Sequence, residues 1–200
     1  MTQRIGIVLI LSIVFFHSAV GTVVSDCISG DCTNGQGVYV YPDGGKYAGG
    51  MKDSKRDGYG TYLFPDGRKY EGEYKNNMMT GAGILTWPDN SRYEGILTDG
   101  KFVKGAYTWP NGNRYEGQFK DDKPDGFGAL HTPDGQTYSG EFKNGMKEGG
   151  GTLTDKDGST YTGKFRNDKK HGPGMMSYPN GQTKQLVWED DKLIRDSSKH

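Results

Sequence analysis

The sequence predicts an all-β protein: an elongated, single-sheet antiparallel meander of tandem β-hairpin repeats of 23 residues. Three observations predict it. A unit led by tyrosine recurs at Tyr47, Tyr70, Tyr93, Tyr115, Tyr138 and Tyr161, spaced 23, 23, 22, 23 and 23 residues apart, and a fixed period of this size marks a repeat architecture. Each unit holds two short strand-like runs bounded by turn residues, one turn reading Pro-Asp/Asn-Gly in most copies. Glycine makes up 33 of 200 residues and hydrophobic residues only 32%, which is too little for a thick two-layer core and suits a stack in which each unit touches its neighbours.

Residues 1–21 differ in kind from the rest. Arg4 precedes an apolar run from Ile5 to Phe16, and Ala19-Val20-Gly21 places small residues where a signal peptidase cuts before Thr22. The expectation is a cleaved secretory signal and export to a bacterial periplasm or cell surface. The alternative is a retained anchor running from Ile5 to Val24. No Asn-x-Ser/Thr acceptor site is present, which favours a bacterial envelope over a eukaryotic secretory route.

Residues 22–46 read as an N-terminal half repeat. It lacks the leading Tyr but ends in Gly35-Gln-Gly37 and Pro42-Asp43-Gly44. It also holds both cysteines of the chain, Cys27 and Cys32, which in an exported protein predict a disulfide pinning this incomplete hairpin. Six full repeats follow at 47–69, 70–92, 93–114, 115–137, 138–160 and 161–183. Residues 184–200 read as a cap and tail, with Leu186 and Trp188 closing the last edge.

The Pro65-Asp66-Gly67 turn sets a register. Phe64 falls opposite Arg68, Tyr62 opposite Tyr70 and Gly60 opposite Gly72. Carried through the chain, this gives fourteen strands, a slab on the order of 65 Å long at ~4.8 Å per strand. One row is all glycine, from Gly37 to Gly174. Beside it runs a row of large groups, from Tyr39 to Met176. In a third row glycine alternates with bulk: Gly58, Tyr74, Gly81, Leu97, Val103, Phe119 and onward. All three share one face, because strand side chains alternate. Glycine is normally a cost inside a strand; here it leaves floor space for rings to lie across the sheet. The third repeat is one residue short, which is read as a lost turn residue, with Val103 opposite Leu97.

The segments Tyr-Glu-Gly-Glu-Tyr (70–74), Tyr-Glu-Gly-Gln-Phe (115–119) and Tyr-Ser-Gly-Glu-Phe (138–142), with the paired glycines, resemble the MORN family of repeats. The resemblance covers nearly all of the chain beyond the signal. It implies association with membranes or assembly of protein partners, and no catalysis in the repeats themselves.

No catalytic constellation emerges. His131 and His171 occupy different repeat positions, and no nucleophile elbow, zinc-protease motif or phosphate loop occurs. The expectation is a protein that is not an enzyme and carries no cofactor or metal. Two features are candidate binding surfaces. An outer aromatic row, Tyr41, Phe64, Trp87, Trp109 and Tyr178, offers rings to an apolar partner or a glycan. A basic ladder, Lys46, Lys69, Arg92 and Arg114, offers charge to a membrane surface or an acidic partner, with Glu71, Glu94 and Glu116 two residues on. A formal net charge of zero argues against nucleic acid. The reading is an exported binding or scaffold protein for a protein partner or membrane surface. The alternative is a glycan- or wall-binding accessory protein, and a homodimer through the aromatic face or an edge is a further expectation.

Overall fold

The computed structural model describes residues 26–197, so the expected signal at 1–21 and its cleavage site lie outside the described residues. The described residues form one open sheet of sixteen antiparallel strands in sequence order, with no helix. They are β1 (Asp26–Gly30), β2 (Gln36–Val40), β3 (Lys46–Lys52), β4 (Lys55–Leu63), β5 (Lys69–Lys75), β6 (Met78–Thr86), β7 (Arg92–Thr98), β8 (Lys101–Thr108), β9 (Arg114–Lys120), β10 (Lys123–His131), β11 (Thr137–Lys143), β12 (Met146–Thr154), β13 (Thr160–Arg166), β14 (Lys169–Ser177), β15 (Thr183–Glu189) and β16 (Lys192–Asp196). The two strands beyond the expected fourteen are β1 and β16. β1 is tied by a Cys27–Cys32 disulfide. β16 folds back on β15, with Leu193 opposite Trp188.

Two turn types alternate. At the Pro-Asp-Gly loops, Phe64 N donates to Arg68 O (2.8 Å) and Gly67 N to Phe64 O (3.0 Å), as the register requires. Asp66 Oδ1 closes the loop by accepting from Arg68 N. The other turns have two residues, both in the left-handed region, as at Asn76-Asn77 (φ 48° and 72°) and Asp121-Asp122 (φ 47° and 59°). That is the hairpin turn whose twist suits the flanking strands, and Asn, Asp and Gly tolerate it best. The second turn residue also ties units together. Asn77 Oδ1 accepts from Arg56 N (2.8 Å), Asp122 Oδ1 from Phe102 N (2.9 Å) and Asp168 Oδ1 from Lys147 N (2.9 Å), each spanning about one repeat.

The glycine row is continuous. Gly49 pairs with Gly60, Gly60 with Gly72, Gly72 with Gly83, and so on to Gly163 with Gly174. The large-group row holds too, from Tyr39–Tyr47 to Tyr161–Met176. The six leading tyrosines lie over the glycines, and Tyr47, Tyr70, Tyr93 and Tyr115 are 0% exposed although the sheet has a single layer. A Cβ at Gly128 would sit 2.5 Å from Cε2 and Cζ of Tyr115. Each hydroxyl donates to the carbonyl three residues on: Tyr47 to Gly50 (2.8 Å), Tyr93 to Ile96 (2.8 Å), Tyr115 to Gln118 (2.8 Å) and Tyr138 to Glu141 (3.0 Å). Burying a phenol without such a partner would be costly.

The third row is where the structure departs from the expectation. It holds across the Pro-Asp-Gly hairpins, with Gly58 opposite Tyr74 and Gly126 opposite Phe142. Across the two-residue turns a bulge shifts the register, so Tyr74 meets Met79 rather than Gly81, and Leu97 meets Phe102 rather than Val103. Phe102 is 7% exposed and stacks on Tyr93 at 3.8 Å, while Val103 is 42% exposed. The bulge demands a positive φ, which Gly58 (94°), Gly81 (61°) and Gly126 (98°) supply. These glycines therefore serve the backbone rather than the rings. The residue missing from the third repeat is lost from this bulge in β8, eight residues long against nine in β6, and not from a turn.

Candidate functional site: two faces of an open sheet

A ring face and a back face result. On the ring face, second-layer groups close over the tyrosines. Phe142 sits edge-on to Tyr115 (4.9 Å) and to Tyr138 (5.1 Å), and the pattern repeats at Phe165. The residue nine positions after each leading tyrosine adds a further cover: Arg56, Met79, Phe102, Pro124, Lys147 and Lys170. Lys147 Nζ stands 5.5 Å from the Tyr138 ring and Lys170 Nζ 5.3 Å from that of Tyr161. The sequence reading missed this position because its chemistry varies from copy to copy; the signal was its fixed offset. Burial pushes the hydroxyls of Tyr47, Tyr70, Tyr93 and Tyr115 up to about 12.

The outer aromatic row is half-buried and packs against the core. Tyr41 meets Tyr39 at a tilt (4.8 Å) and Tyr62 edgewise (5.6 Å), and Phe64 meets Tyr62 (4.5 Å). Trp87 and Trp109 flank Tyr107 at 5.5 and 4.9 Å and line a hollow of about 260 Å³ with Phe102, Phe119 and Asp122. Tyr178 stands apart from that hollow, with Lys184 Nζ 5.9 Å from its ring.

The basic ladder lies on the back face, and three of its four members pair with a glutamate two residues on along their own strand. Lys69 Nζ is 3.0 Å from Glu71, Arg114 Nη1 is 2.8 Å from Glu116, and Arg92 is bound to Glu94. Lys46 occupies the same register position on β3. Exposed pairs of this kind contribute less than about 1 kcal/mol.

A broad concavity also lies on the back face and was not anticipated. A trough of about 700 Å³ crosses β8 to β13, floored by Gly105, Gly117, Gly128, Gly140 and Gly151. Lys104 and Phe127 rise on one side. On the other the residues shrink, from Glu71, Ile84 and Glu94 in the early repeats to Ala129, Ser139, Thr152 and Thr162 in the later ones. That change of size opens the trough. Phe127 is 68% exposed, and its amide is held by Gln118 Oε1 at 2.9 Å. Two smaller hollows lie on the same face, at Tyr59–Ile96 and at Pro173–Arg195.

Comparison with solved structures finds the same architecture elsewhere. The TCP domain of SAS-4 (dCPAP) of Drosophila melanogaster, solved in complex with a proline-rich motif of Ana2 (dSTIL), is similar at 17% identity and a TM-score of 0.55, over 89% of this chain and 99% of that one. The G-box domain of the microcephaly protein CPAP matches at 18% identity and a TM-score of 0.48, over 85% and 96%. The TCP10 domain of Danio rerio CPAP, with a peptide of Danio rerio STIL, matches at 16% and 0.33, over 87% and 98%. At 17% identity the likeness to the Drosophila domain is one of fold. Comparison with curated proteins gives no match. The MORN repeat model matches residues 33–46, 47–67, 70–92, 93–114, 115–137, 138–160 and 161–183. With matches over most of its length, the chain belongs to the MORN repeat family.

Proposed function

We propose that the protein is a non-enzymatic scaffold, exported from a bacterial cell, that binds an extended segment of a partner protein along its back face. The glycine-floored trough carries the reading. Its six strands span about 24 Å at ~4.8 Å each, which matches seven or eight residues of polyproline helix at ~3.1 Å per residue. Its walls offer one large exposed ring, Phe127, and one charge of each sign, Lys104 and Glu116. A preformed, low-entropy proline-rich segment suits a shallow groove with an exposed ring on its wall. The complex of the Drosophila domain with a proline-rich motif supports this by analogy of fold. Export is supported by the Cys27–Cys32 disulfide. Cis pairing of the basic ladder disfavours a membrane surface as the ligand.

The test is calorimetry of the purified protein with proline-rich peptides of eight to twelve residues selected by display. Phe127→Ala should weaken binding at least tenfold, and Trp87→Ala and Trp109→Ala should leave it unchanged. Binding indifferent to Phe127→Ala overturns the reading.

One observation favours a second reading: the hollow between Trp87 and Trp109, with Asp122 at its wall, has the aromatic-plus-carboxylate lining that sugars stack on. Retention on cell-wall glycans that the double Trp→Ala variant abolishes would favour it.

A further inference from the structure

We propose that the ring face holds, at its N-terminal end, a site for a carboxylate carried on an apolar stem. The group that points to it is Arg56, the cover residue of the first repeat. Its guanidinium stands over three rings, 4.8 Å from the centroid of Tyr62, 5.1 Å from Tyr74 and 5.6 Å from Tyr41. Nη2 donates to Asn77 O at 3.0 Å, while Nε is buried and has no protein partner. The Tyr74 ring lies against the same guanidinium, and its buried hydroxyl is also without a partner.

Among the described residues no carboxylate pairs with Arg56. The neighbouring acids are committed: Asp57 to Lys75 at 3.2 Å, and Asp43 Oδ1 to the amide of Gly45. A half-buried guanidinium without a counter-ion is a standing electrostatic cost. Packing does not demand it, because the same position in the next repeat is Met79, which sits opposite Tyr74 as Arg56 sits opposite Met51.

Space for a ligand lies beside it. A cavity of about 410 Å³ is lined by Arg56, Tyr39, Tyr41, Met51, Ser54 and the Cys27–Cys32 bridge. The walls combine the apolar surfaces of Met51, the two rings and the bridge with the polar groups of Thr33, Ser54 and Asn77, and the one full charge is the cation. A planar guanidinium with free donors matches a carboxylate, and the remaining wall accepts an aliphatic or aromatic stem. The C-terminal residue of a peptide has this chemistry. The site is on the opposite face from the trough and stands whether or not the trough binds a peptide.

The test is NMR titration of the 15N-labelled, disulfide-bonded protein with N-acetyl-L-leucine, following the Arg56 Nε–H resonance and the amides of Cys32, Met51 and Asn77. N-acetyl-L-leucinamide and inorganic phosphate serve as separate probes. The expected result is a saturable shift with the acid, at least tenfold weaker with the amide, and lost in Arg56→Met, which copies the adjacent repeat and keeps the fold. No saturable shift up to roughly tens of millimolar acid, weaker than any affinity of consequence, would overturn the proposal. So would equal binding of the amide, or binding retained in Arg56→Met. Tighter binding of phosphate would overturn the carboxylate assignment.

Discussion

Replacing Gly128 by alanine isolates the contact on which this fold depends. Gly128 lies between Gly117 and Gly140 in the glycine row, at a backbone conformation alanine can adopt. The new Cβ would meet the Tyr115 ring at 2.5 Å, well inside van der Waals contact. The ring is 0% exposed and held by its bond to Gln118 O, so it must tilt and lose that bond. Overpacking costs about 1–3 kcal/mol and the hydrogen bond about 1 kcal/mol. The stiffer unfolded chain offsets about 0.4–1 kcal/mol, leaving a net loss of about 1–3.5 kcal/mol. The assay is urea unfolding of the wild type, Gly128→Ala, Tyr115→Leu and the double variant. With the ring gone only the unfolded-chain gain remains, so the cycle should show a coupling of about 2–4 kcal/mol. A single-variant loss below about 0.5 kcal/mol, or an equal loss in the Tyr115→Leu background, would refute the reasoning.

Other perturbations test other parts of the account. Phe102→Ala should cost about 3–5 kcal/mol because its ring is buried on Tyr93, while Val103→Ala should stay within about 0.5 kcal/mol; reversed values in thermal unfolding would restore the simple register across β7 and β8. In alkali, the raised folded values of Tyr47, Tyr70, Tyr93 and Tyr115 mean that the neutral phenol is the folded form. Their contribution is complete below pH ~10 and is lost as pH rises through the folded values, at about 5 kcal/mol per pH unit for the four together. Circular dichroism should therefore be lost above pH ~10, with these four hydroxyls ionising only in that transition; ionisation of the four in a chain that stays folded contradicts this. Replacing Cys27 and Cys32 by serine should cost about 2 kcal/mol from loop closure, with hydrogen exchange rising in β1 and β2 and unchanged in β9. Arg114→Ala should change stability by less than about 1 kcal/mol, since its bond to Glu116 is exposed.

Much of the fold was legible because side chains alternate along a regular strand: once Pro65-Asp66-Gly67 fixed one hairpin, Gly60 opposite Gly72 and Tyr62 opposite Tyr70 followed, and the same pairing ran to Gly174. The two-residue turns broke the inference. A bulge adds residues on one strand only, and nothing in Leu97-Thr-Asp-Gly-Lys-Phe-Val says whether Phe102 or Val103 turns inward until the bulge is placed. The candidate sites were less legible for a related reason. Aromatic and charged rows are visible as types, but whether they are available depends on what they touch: Trp87 packs on Tyr107, and Arg114 is bound to Glu116. The trough was hidden because it is made by what is small, Ala129, Ser139 and Thr152, beside one large exposed ring. The cation of Arg56 looked like one more charge in a hairpin until the rings around it and its missing counter-ion were located.

The central claim is that the ring face is the core of a one-layer protein and the back face is what a partner meets. Tyrosine nitration of the native protein, read residue by residue by mass spectrometry, tests it most directly. Tyr59, 65% exposed on the back face, should be modified readily, while Tyr47, Tyr70, Tyr93, Tyr115, Tyr138 and Tyr161 should be protected until the chain unfolds. Ready modification of those six in the folded protein would mean that the ring face is open, and the assignment of core and binding surface would have to be exchanged.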